Sequence, residues 1–184
     1  YRLQPSLLST PSAQRAGTLR VADLQLGTAL DSDRLLRQRG VRLEPRPLSR
    51  WVAPLDRLVS DALVLGLSRA RVCDLVKGSA DAGDEDWTLH GRIVDFVEVD
   101  DGAAPVARVA LELWLEQRGA LCFHEEFVAS EALAESDADA VVAALSRGLQ
   151  GVVAQVVEQM RQRALFAQVL AERAEARRSA RPAR

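Results

Sequence analysis

Apolar residues recur along this chain with two periods, and the change from one to the other marks its elements. Leu19-Arg20-Val21-Ala22-Asp23-Leu24 alternates closely enough to read as a strand. Tyr1-Arg2-Leu3 alternates as well, and is expected to form a short first strand before the Pro/Ser/Thr-rich stretch from Pro5 to Ser12. Arg34-Leu35-Leu36-Arg37 and Val41-Arg42-Leu43-Glu44 flank Arg39-Gly40, which predicts a hairpin. Pro45 and Pro47 are expected to end its pairing, because proline has no N–H to give a ladder.

At Pro54 the period lengthens. Leu55, Leu58, Val59, Ala62, Leu63 and Gly66 fall at three- and four-residue steps, one face of a helix running to about Ser68. Pro54 suits its first position, where a missing N–H costs nothing. Arg71 to Val76 then reads as a short strand, and Gly78 to Asp86 as a small, acidic and mobile loop.

The clearest strands are Trp87–Val99 and Val106–Glu116, joined through Asp100-Asp101-Gly102. In the second, Ala107, Val109, Leu111, Leu113 and Leu115 share one face while Arg108, Glu112 and Glu116 share the other. Arg118-Gly119 turns the chain into a third strand, Leu121 to Val128. Strict alternation along Trp87–Val99 puts Ile93 and Val97 on one face and Val94 and Phe96 on the other. Apolar residues on both faces predict a sheet covered by helices on both sides.

Ser136 to Asp139 offers an N-cap with acids in the first turn of a final helix. Val141, Leu145, Leu149, Val152, Val153, Val156 and Met160 form its stripe. A helix continuing to about residue 170 is roughly 50 Å long. A compact domain of this size is about 40 Å across, so the end beyond Met160 should overhang. That end carries Leu165, Phe166, Val169 and Leu170, an apolar set that invites a partner. Residues 1–172 therefore read as one domain, and the Arg-rich 173–184 as a disordered tail.

Composition narrows the function classes. Aromatics make up 4% of 184 residues, so the core is aliphatic, and a net charge of -2 gives no footprint for nucleic acid. Lys77 is the single lysine, a skew toward arginine that fits GC-rich coding. No uninterrupted apolar run reaches the roughly 20 residues of a membrane span. With no initiator Met at Tyr1, the chain reads as a mature domain whose export signal has been removed. Cys73 and Cys122 are too few for a disulfide framework, and whether they pair is left open.

Chemistry-bearing motifs are scarce. There is no Gly-x-Ser-x-Gly elbow, no phosphate-binding glycine loop and no alternating acids of a calcium site. His90 and His124 sit in strands and read as hydrogen-bonded structural residues. Cys122 and His124 sharing a strand face is the one hint of a metal site, without the paired ligand spacing zinc requires. Asp95 and Glu98 lie on opposite faces of one strand and cannot act as a paired acid and base. No catalytic, metal or cofactor residue is assigned, and no cofactor is implied.

The aromatic residues carry what remains. Phe96 and Trp114 read as core packing, while Trp51, just before a helix, either staples it or faces a partner. The chain resembles the ABC-type transport auxiliary lipoprotein family at four places. Tyr1-Arg2-Leu3 resembles its opening Tyr-x-Leu strand. Arg50-Trp51-Val52-Ala53-Pro54-Leu55 resembles its Arg-Trp-Ala-Glu-Pro-Leu signature. Val94-Asp95-Phe96 stands where the family has a strand ending in Arg-Phe. Leu113-Trp114-Leu115 with Arg118-Gly119 resembles its tryptophan strand and hairpin.

The resemblance implies a three-layer α/β/α fold with a small mixed sheet. It implies a non-catalytic lipoprotein at the periplasmic face of the Gram-negative outer membrane. There it would dock on, or cap, a lipid conduit built from a mammalian-cell-entry (MCE) domain protein of an ABC transporter. The family's lipidated cysteine is not in this chain, so the anchor would lie upstream. A homo-oligomer is expected, with Trp51 and the end of the terminal helix as contacts. The rivals are an envelope binding module with no lipid role, favoured by a monomer with a polar groove, and a small hydrolase, favoured by turnover that depends on Asp95, Glu98 or His124.

Overall fold

The computed structural model describes residues 1–3, 17–30, 33–81, 83–100, 102, 104–133, 135 and 137–163. The longest strands organise everything else. Strand β6 (Trp87–Val99) pairs antiparallel with β7 (Val106–Gln117), which pairs antiparallel with β8 (Ala120–Ala132). The other edge of β6 is shared by three shorter parallel strands in succession. These are β1 (Thr18–Val21) at Trp87–Leu89, β2 (Gln25–Leu26) at Arg92–Ile93 and β3 (Arg34–Arg39) at Val97–Val99. Strand β5 (Leu75–Lys77) adds parallel to β1, and β4 (Arg42–Arg50) adds antiparallel to β3. The result is one mixed eight-stranded sheet.

Among the described residues two α-helices complete the fold, α1 (Leu55–Arg69) and the long α2 (Ala138–Gln162). The mixed α/β class, the helix after Pro54 and the long terminal helix are all as expected. Pro54 occupies the N-cap of α1, one residue before the predicted position. Asp137 caps α2 by accepting a hydrogen bond from the Ala140 N–H at 2.7 Å; Ser136 lies outside the described residues.

The layering differs from the expectation in one respect. Both helices lie on the same face of the sheet and touch one another. Gly66 of α1 sits against Val153 of α2 so closely that a Cβ there would lie 3.0 Å from a valine methyl. The reason is a β-bulge. The register of β6 against β7 slips between Ile93 and Asp95, so Ile93 and Phe96 both point to the helices. Strict alternation had divided these residues between two faces. Leu19, Leu35, Leu63, Leu111, Leu113 and Val156 join them in one aliphatic core. Helix α2 is long and apolar enough to cross a bilayer, but most of its apolar window is buried against β7, β8 and α1.

Four local expectations are also corrected. Pro45 and Pro47 do not end the hairpin: β4 continues to Arg50, after a register shift that brings Arg34 opposite Arg50. Proline is tolerated there because β4 is an edge strand. The strand expected from Arg71 starts only at Leu75, since Arg71 takes φ 54° and Cys73 turns into the core. The acidic loop is tied down rather than loose. Glu85 pairs with Arg20 at 2.6 Å and Lys77 at 3.4 Å, and Asp86 accepts the Thr18 N–H at 2.8 Å. Tyr1 joins no ladder, but its backbone nitrogen donates to the Arg50 carbonyl at 3.0 Å and Leu3 is buried. The Pro/Ser/Thr-rich stretch, Leu165, Phe166, Val169, Leu170 and the Arg-rich tail lie outside the described residues.

Candidate interaction surface

Because both helices cover one face, the other face of β6–β7–β8 carries side chains that meet solvent. Pairing sets His90, Trp114 and His124 in one row across the three strands. His90 stacks on the Trp114 indole, with centroids 5.7 Å apart and planes 10° from parallel. His124 meets the same ring edge-on at 5.6 Å. Aromatic pairs of this kind are worth about 0.5–1.5 kcal/mol beyond the area they bury. Trp114 is thus half-buried on the open face, where core packing had been expected.

The next row supplies charge. Glu112 accepts a hydrogen bond from Arg92 Nη2 at 2.6 Å and meets His124 Nε2 at 2.9 Å. These contacts, His124 first and Arg92 second, hold the Glu112 carboxyl below its ordinary range. It stays a carboxylate and is poorly suited to act as a general acid at neutral pH. His90 approaches Glu116 at 3.7 Å, and Asp95 pairs with Arg108 at 3.1 Å. Gln25, Arg92, Glu112, Trp114, Leu121 and His124 enclose a shallow hollow of about 400 Å³.

A second bulge decides who lines it. The β7–β8 register shifts between Leu115 and Glu116, so Leu121 joins His124 at the hollow. Cys122 is displaced from the position that hinted at a metal pair. Among the described residues no group of three or more His, Cys, Asp or Glu side chains could hold a metal ion. Cys73 and Cys122 are both free thiols.

The other sequence-predicted site residues fall elsewhere. Trp51 is 7% exposed and packs edge-to-face on Phe96, so its ring is a core group and not a contact surface. Its neighbour Val52 is exposed in its place. Arg50, Pro54 and Leu55 connect β4 to α1, with Leu55 buried. Glu98 faces the helix side and is fully buried, accepting hydrogen bonds from Arg37 at 2.9 Å and from Arg46. Sequence reading missed the Trp114 row; the signal was a Trp on the charged parity of its strand, beside Glu112 and Glu116.

The fold and this surface can be set beside known proteins. The sequence profile of the ABC-type transport auxiliary lipoprotein component matches residues 1–157. The chain belongs to that family. Its role is accordingly that of an auxiliary lipoprotein component of ABC-type transport. The crystal structure of protein XCC0632 from Xanthomonas campestris is similar, with a TM-score of 0.75 at 18% identity, covering 96% of this chain and 98% of that one. A second crystal structure, of an uncharacterized protein, has a TM-score of 0.72 at 20% identity over 87% of this chain and 96% of that one. The PelC dodecamer from Paraburkholderia phytofirmans shares the fold more loosely, with a TM-score of 0.50 at 12% identity over 82% of this chain and 92% of that one. None of the curated proteins matches the chain.

Proposed function

We propose that this chain is a non-catalytic docking component of a Gram-negative ABC transport system built around an MCE-domain protein. Its cargo is a lipid or another hydrophobic molecule. It faces the periplasm from the outer membrane, held by a lipid anchor upstream of Tyr1. The observation that carries the reading is the open sheet face: neither helix covers the Trp114 row, and its hollow is shallow and ringed by paired charges. Such a surface fits a partner protein better than a small substrate, which a deeper and more apolar pocket would hold. In a family of transport auxiliaries, that partner is the conduit or a second copy of the chain. Self-association is in keeping with the dodecamer formed by PelC, a protein of similar fold.

Intact mass and membrane fractionation of the full-length precursor, expressed in a Gram-negative envelope, test this reading. A mass gain matching diacylglycerol and acyl chains, with partition into the outer membrane, is the expected result. An unmodified soluble product would overturn it.

A further inference from the structure

We propose that the β3–β4 hairpin is a docking surface for an anionic lipid bilayer. From Arg34 to Arg50 it holds six arginines against one glutamate, a formal net of +5 in a chain whose net charge is -2. Glu98 takes up Arg37 and Arg46, and Asp100 takes up Arg39 at 3.3 Å. Arg34, Arg42 and Arg50 remain exposed along the same hairpin.

Apolar side chains are interleaved with these charges. Val41, at the turn beside Gly40, and Leu48, near the end of β4, are both fully exposed, and Val52 just beyond is 69% exposed. These are the three most exposed large hydrophobics among the described residues. Leu48 also takes a left-handed backbone, φ 57°, which is costly for a residue other than glycine and persists only where the surroundings impose it. Protruding aliphatics separated by guanidinium groups match the boundary between headgroups and acyl chains, where each class of group finds its own solvent.

Another strand is a poor occupant. β4 is an edge, but Pro45 and Pro47 remove two donors from it and block continuous pairing. An acidic protein would satisfy the arginines but not aliphatic side chains that stand apart from one another. The Tyr1 nitrogen lies 3.0 Å from the Arg50 carbonyl, which sets Tyr1 beside this surface. Any upstream tether therefore emerges beside this surface. The inference rests on the proposed function only for which membrane is met.

The test is co-sedimentation of the purified 184-residue chain with vesicles. Phosphatidylglycerol–phosphatidylcholine vesicles are compared with phosphatidylcholine alone, at low and high salt. The wild-type chain is expected to bind the anionic vesicles in a salt-sensitive way and to leave the neutral ones in solution. Val41→Asp and the pair Arg34→Gln, Arg42→Gln, all exposed and with circular dichroism unchanged, are each expected to weaken partition roughly tenfold or more. Absence of binding to anionic vesicles overturns the proposal. So does binding that survives in both variants, which would place it in the arginines of 173–184. A wild-type chain that ignores vesicles but self-associates until Val41→Asp is made overturns it in favour of a second copy. Lipid modification and envelope partition of the precursor can hold in each of these cases, so the two readings fail separately.

Discussion

The rings of Trp51 and Phe96 meet edge to face, with centroids 5.8 Å apart and planes at 65°. The contact pins the turn entering α1 onto the central strand just past its bulge, and both rings are buried. Trp51→Ala is expected to cost about 3–5 kcal/mol through lost packing and the cavity it leaves. Trp51→Phe should cost less, since the indole N–H is buried with no hydrogen-bond partner and contributes no bond to lose. Urea titration of both variants checks the order.

Glu98 supports a different junction. Its carboxylate is fully buried beneath two arginines, and Arg46 belongs to the edge strand. Removing one partner from a buried ion group leaves the others uncompensated, so Glu98→Ala should cost about 3 kcal/mol. Loss of hydrogen-exchange protection confined to the β3–β4 hairpin would be the local signature. An unchanged unfolding midpoint would show that the cluster contributes nothing net.

Acidification should act through Glu112. The folded carboxyl is held below its ordinary value by His124 and Arg92, so its contribution is present above that value. The contribution is lost as pH falls through the folded pKa. Glu112→Gln is therefore expected to lower the urea midpoint at neutral pH and to match the wild-type protein in strong acid. A difference that stays constant across that range would contradict the assignment.

The two thiols should differ in reactivity. Burial, aided by Asp74 and Asp86, pushes the Cys73 thiol up to about 12, leaving almost no thiolate at neutral pH. Cys122 is also raised by burial, but it is only partly covered. Alkylation of the native protein followed by peptide mass mapping should label Cys122 well before Cys73. Equal rates would mean that the core around Cys73 opens readily.

Periodicity made the long elements legible. The span Trp87–Val99 was read to the residue, because turn residues bound a long apolar-rich run, and the helix after Pro54 to within one, because its apolar stripe is regular. What could not be read was where the regularity breaks. The bulge at Val94 turns Phe96 to the side of Ile93, and that one extra residue changes which faces look apolar. The prolines of β4 misled for a related reason: proline forbids a central strand but not an edge, and sequence does not say which strand is the edge. Trp114 was counted as core because tryptophan is costly to expose. Its position between two histidines depends on a register that no single strand encodes.

The central claim is that the Trp114 face docks on another envelope component. A photoreactive amino acid in place of Glu126, which is exposed on β8 next to His124, tests it most directly when the full-length precursor is expressed in its Gram-negative host. Irradiation of intact cells should join the chain to an ABC transport component or to a second copy, while the same group in place of the exposed Asp61 on α1 should not. Equal crosslinking from both positions, or none from either, would contradict the account.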